Sequence, residues 1–140
     1  TGTKYYFEDI GIRNAVVDFR QIEFTHIMEN VVYNELRKQG YTVDVGSVES
    51  FKRDENGKLQ RRNLEIDFVV NRHDERLYIQ SAYALSDKEK VDQEQTSLLN
   101  VNDGFRKLII VGDRYHSGYN EEGILMMSLS DFLLGKENKS

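Results

Sequence analysis

The sequence predicts an α/β fold, on two observations. One long helix-period segment is followed by three strand-period segments, and a second helical segment is followed by a short, wholly apolar run. Between residues 21 and 39 the apolar positions Phe24, Ile27, Met28, Val31, Val32 and Leu36 recur every three or four residues, which lines one face of a helix. Gly40 stands where a C-terminal cap ends it. Ahead of this helix, residues 5–17 read as a short strand or extended lead-in around Tyr5, Tyr6 and Phe7.

The strands follow in order. Residues 41–45 alternate apolar and polar, as a half-buried strand does. Residues 50–62 are charged and contain Asn56-Gly57, a hairpin pair in which both residues tolerate positive φ. Two β-rich runs, 64–70 and 77–85, are joined by a polar turn over 71–75. Ser86 and Asp87 are placed to cap a helix over 88–99. Residues 107–111 form a compact apolar run of the length of a buried strand. A polar loop over 112–123 leads to a last strand at 124–127 and a short closing helix at 128–134, with a frayed tail at 136–140.

Composition narrows the function. At 140 residues the chain fits one domain with a real core. With no cysteine, neither a disulfide framework nor a thiolate metal site can form. No apolar run reaches the ~20 residues that span a bilayer and no signal-peptide pattern opens the chain, so a cytoplasmic location and no membrane partner are expected. The formal net charge of −5 excludes a uniformly basic nucleic-acid binder while leaving room for local basic surfaces. The chain starts at Thr1 without a methionine, which suggests one piece of a longer protein.

The chemistry-bearing positions lie on the two central strands. In residues 65–70 the period of two sets Ile66, Phe68 and Val70 on one face and Glu65 and Asp67 on the other. An acid between large apolar neighbours on a buried strand needs a partner charge or a cation, so Asp67 is either salt-bridged near a strand end or a cation ligand. In the next strand Gln80 and Ala82 share a face, opposite Leu77, Ile79 and Ser81. A hairpin between these strands brings Gln80 beside Asp67, and two oxygen-bearing side chains are the minimum for a hard dication such as magnesium. Glu29, beside the apolar stripe of the first helix, would add a third or is an ordinary flanking glutamate.

Four segments carry a resemblance to a known family: residues 6–11 (Tyr6-Phe7-Glu8-Asp9-Ile10-Gly11), 26–36, 65–70 and 78–81. Their order and spacing resemble the C-terminal PD-(D/E)xK nuclease-like domain of bacterial and archaeal AAA+ type ATPases, over about residues 5–134. The resemblance implies a restriction-endonuclease-like core, a central mixed sheet flanked by helices, as one domain over 1–140. It also implies an ATPase domain N-terminal to it as partner. Carried over by position, Glu29 matches the helix glutamate and Asp67 the metal-binding aspartate. Gln80 falls at the second carboxylate and Ala82 at the lysine. Glu29, Asp67 and Gln80 are thus the implied catalytic and metal-binding set, with magnesium or manganese as cofactor. Glutamine lacks the charge that helps hold a dication, and alanine cannot polarise a water. Lys88 and Lys90 are the nearest candidates for a relocated lysine, or else solvated helix charges.

Other polar features are plainer. Lys52, Arg53, Lys58, Arg61 and Arg62 surround the expected hairpin, as an arm for phosphate contacts or as a soluble loop. His26, His73 and His116 lack metal-ligand spacing, and Ser81 has no triad partners. The chain has no phosphate loop of the G-x-x-x-x-G-K-[ST] form, so this segment is not expected to hydrolyse ATP. Three functions compete: a nuclease-like module that binds nucleic acid or a partner with cleavage weak or lost, an active metal-dependent DNA nuclease with an altered site, and a regulatory domain that touches no nucleic acid.

Overall fold

The computed structural model describes residues 10–84, 88–112 and 117–135. The element order is α1 (Ile10–Lys38), β1 (Thr42–Arg53), β2 (Leu59–Arg72), β3 (Glu75–Ala82), α2 (Lys88–Leu99), β4 (Arg106–Val111), β5 (Gly118–Tyr119), β6 (Leu125–Ser128) and α3 (Leu129–Leu133). The strands form one mixed sheet in the order β1-β2-β3-β4-β6-β5. β1, β2 and β3 are antiparallel, β3-α2-β4 is a parallel crossover, and β4 pairs β6 in parallel. The expected α/β architecture, a mixed sheet flanked by helices, is present.

Helices cover both faces because the central strands are apolar on both. From α1, Val32 and Leu36 join Phe132 of α3 against Phe68, Val70, Leu77, Ile79, Leu108 and Ile110. On the other face Leu98 of α2 packs with Ile66, Tyr78, Ala82, Ile109 and Val111. The continuous apolar run of β4 therefore feeds both clusters alternately, as a doubly covered strand does. No helix among the described residues is long and apolar enough to cross a membrane.

Several expectations shift. α1 begins at Ile10 rather than near residue 21, and the strand or extended lead-in expected around Tyr5-Tyr6-Phe7 lies outside the described residues. Only Met28, Val32 and Leu36 of its apolar stripe are deeply buried, while Phe24 and Ile27 are exposed. Gly40, at φ +91, ends the helix as predicted, with the Tyr41 N–H donating to the Leu36 carbonyl. The charged 50–62 stretch is a hairpin, as expected, and forms the tip of a long two-stranded arm made by β1 and β2. At its tip only Gly57 takes positive φ, and Asp54 Oδ1 accepts from the N–H groups of Asn56 and Lys58, so an aspartate turn replaces the paired Asn-Gly geometry. α2 has the predicted bounds, and its expected caps Ser86 and Asp87 lie outside the described residues, as does the 136–140 tail. Ser128 caps α3 through the Asp131 N–H. The two-residue strand β5 was too short to carry a period.

Candidate functional site

The site is built on a break in the sheet. Asp44 pairs with Val69 while Gly46 pairs with Ile66, two steps along β1 against three along β2. One extra residue is accommodated in β2 at Asp67 and Phe68, a β-bulge, and the alternation changes phase there. Ile66 consequently packs on the α2 side while Phe68 and Val70 pack on the α1 side, which corrects the single apolar face expected for all three. A glycine is required opposite the bulge, because a Cβ on Gly46 would overlap Val69 Cγ2.

Just past this point β2 and β3 separate, their pairing ending at Phe68 and Ile79. Side chains fill the gap. Asp67 Oδ2 accepts from the Ser81 N–H at 2.9 Å and from Ser81 Oγ at 3.2 Å. Gln80, fully buried, accepts the Asp67 N–H on Oε1 at 2.6 Å and donates through Nε2 to the carbonyls of Glu65 and Glu94 at 3.1 and 3.2 Å. The amide read as a cation ligand is thereby engaged by backbone on both ends. Asp67 and Gln80 do come together, as a brace between strands. Ala82 is wholly buried in the α2-side cluster, away from any role in activating water.

Two residues of α2 complete the constellation. Glu94 is buried, and Lys90 Nζ lies 2.8 Å from its Oε1. Glu94 occupies the inward stripe of the helix, three residues after Val91 and four before Leu98, and that spacing is the signal by which the sequence announces it. Glu29, on α1 in the opposite layer, does not line the groove between the β1–β2 arm and α2 but lies within electrostatic range of Asp67, Lys90 and Glu65. Burial first, then the Asp67 charge, raise the Glu29 carboxyl above its ordinary value. Burial raises Asp67 as well, against the lowering effect of the Ser81 bonds. Glu94 is raised by burial and partly relieved by the Lys90 hydrogen bond, while the Asp67 and Glu29 charges add to the rise. Lys90 is raised chiefly by its bond to Glu94, with the Asp67 and Glu29 charges contributing. Three acids and one ammonium thus share one electrostatic environment that is short of positive charge.

This constellation opens into a groove of about 940 Å³ between the β1–β2 arm and α2. Lys52 and Arg62 line it from the arm, Glu65 and Asp67 from the floor, and Lys90 from the helix together with the acids Glu89, Asp92 and Glu94. The other basic residues of the arm are placed differently: Arg61 pairs with Glu49 across the strands at 2.9 Å, and Arg53 donates to the Gly57 carbonyl at the turn with Lys58 beside it. Among the described residues no three His, Cys, Asp or Glu side chains converge closely enough to cage a metal ion. His26 Nδ1 lies 3.9 Å from Glu29 Oε2 on the helix surface, His73 occupies the β2–β3 turn at φ 57, and His116 lies outside the described residues.

No family model matches the chain. An uncharacterized protein of Haemophilus influenzae is 31% identical over 134 residues, covering 96% of this chain and 29% of the relative. The chain spans less than a third of the length of the relative it matches, so a sequence of this kind occurs there as one segment of a much longer chain.

Proposed function

We propose that the chain is a PD-(D/E)xK nuclease-like module that holds a nucleic-acid backbone in the groove between the β1–β2 arm and α2, with cleavage weak or lost. The carrying observation is the groove itself, with cations on the arm facing a floor of carboxylates that repel one another. Support for the fold family comes from the order α1-β1-β2-β3-α2-β4, with the helix acid Glu29 and the bulged Asp67 at the point where two strands part.

A phosphate approaching this floor meets Asp67, Glu65 and Glu94, so a dication is needed between them. Magnesium suits this arrangement because it is commonly held by one or two carboxylates plus substrate phosphate rather than by an all-protein cage. Asp67 on the floor, with Glu29 from α1 as the resemblance implies, would hold magnesium or manganese, and the ion would supply charge neutralisation between phosphate and floor. Lys52 and Arg62 position the backbone, Ser81 fixes the Asp67 carboxylate, and Gln80 holds β2 to β3. With Gln80 engaged and Ala82 in the core, the β3 positions that act on water in the resembled family do not face the groove, which is the reason cleavage is weak or lost. A longer protein containing an ATPase domain is the proposed partner, on the resemblance alone.

A second reading, an active nuclease, is favoured by one observation. Lys90 is anchored by Glu94 within the field of Asp67 and Glu29, where a relocated lysine would have to be. Fluorescence-anisotropy titration of labelled duplex and branched DNA at low salt with magnesium tests the first reading. The Lys52→Ala/Arg62→Ala double variant should bind about tenfold more weakly with a shallower salt dependence. No binding by the parent would sink it in favour of a regulatory domain, and strand scission lost in both Asp67→Asn and Lys90→Ala would instead establish the second.

A further inference from the structure

β1 is the terminal strand of the sheet and pairs only with β2 among the described residues. Its outer edge is twelve residues long, contains no proline, and displays Val45 at 71% and Phe51 at 56% exposure. Such an edge is a template for another strand unless something occupies it.

We propose that this edge pairs with the β1 edge of a second copy of the chain, antiparallel about a two-fold axis at Val48. A two-fold axis perpendicular to the sheet preserves its faces, so only registers that match residues of the same alternation class are allowed. With Val48 opposite Val48, Val45 meets the partner subunit's Phe51 on one face, and Asp44 meets the partner subunit's Lys52 on the other. Both contacts occur twice by symmetry. Slipping the partner by one allowed step in one direction sets Val45 against the partner's Glu49. The opposite step sets Glu49 against the partner's Glu49. The Val48 register alone among these three joins the exposed apolar pair and the opposite charges together, and cross-strand pairs of both kinds stabilise antiparallel ladders. The two grooves then open on the same side of a continuous sheet.

Sedimentation velocity of the complete chain across micromolar concentrations, without nucleic acid, tests the pairing. The parent should form a dimer, and Asp44→Lys, which faces the partner subunit's Lys52 with like charge twice, should weaken it by about tenfold. The exchange variant Asp44→Lys/Lys52→Asp should recover the dimer, which a merely misfolded chain would not do. A parent that stays monomeric throughout overturns the proposal. So does an Asp44→Lys dimer as tight as the parent's, or an exchange variant that remains as weak as Asp44→Lys. None of these readings depends on whether the groove binds DNA.

Discussion

The N–H of Asp67 donates to Gln80 Oε1 at 2.6 Å, at the position where the β2–β3 ladder has already ended. A side-chain amide thus replaces a backbone partner, and the same amide ties β2 to α2 through the Glu65 and Glu94 carbonyls. Replacing Gln80 by alanine leaves one N–H and two carbonyls without that partner and opens a cavity. Loss of about 3 kcal/mol is expected, from unsatisfied polar groups and lost packing together. Urea denaturation followed by circular dichroism gives the value, and a loss below about 1 kcal/mol would show the amide to be dispensable.

Gly46 sets the bulge by its lack of a side chain. Gly46→Ala should cost about 1–3 kcal/mol, because the new Cβ overlaps the stiff Val69 side chain. Val69→Ala in the same chain should recover much of that cost, since it removes the overlapping methyl. A double variant no more stable than Gly46→Ala would place the strain elsewhere.

Glu29, Asp67 and Glu94 each have folded-state values above their unfolded ones. Between those values the native chain binds more protons than the unfolded chain, so their contribution to stability grows as pH falls from neutrality through the raised values. It is fully present below the ordinary carboxylate range. Asp67→Asn removes one titrating group and one source of repulsion, so the difference in stability between variant and parent should shrink as pH falls over this window. Denaturant midpoints across the window decide it; a constant difference would mean that the Asp67 carboxyl is not raised in the folded chain.

Lys90 is the cation nearest to buried Glu94, and its own side chain is 46% exposed. Solvent screening limits what the pair contributes, yet losing the ammonium leaves the carboxylate deprived of its partner. Lys90→Met should destabilise by about 1 kcal/mol at neutral pH, with the deficit shrinking once Glu94 is protonated. A deficit that does not change with pH would assign the effect to packing of the lysine stem.

Much of the fold was legible because its signals are local. Helical spacing located the C-terminal half of α1 and Gly40 its end, capping residues located α2, and alternation or short apolar runs located the longer strands. The bulge was not legible, since nothing in residues 65–70 distinguishes a regular strand from one carrying an extra residue; the requirement sits on the neighbouring strand, at Gly46. Alternation therefore misplaced Ile66. Asp67 stood out because it interrupts an apolar strand, and Gln80 because it follows on the next one. Glu94 went unremarked although it interrupts the inward stripe of α2, for a glutamate on a charged helix reads as surface until the apolar positions on either side are counted.

Under the proposed function the carboxylate floor and a phosphate hold a dication jointly, neither sufficing alone. Manganese binding followed by electron paramagnetic resonance, with and without a saturating DNA duplex, addresses it directly. Free manganese should fall markedly only when protein and duplex are both present, and the Glu29→Gln/Asp67→Asn double variant should abolish that fall. Equal manganese binding with and without duplex, or the same ternary uptake in the double variant, would contradict joint binding.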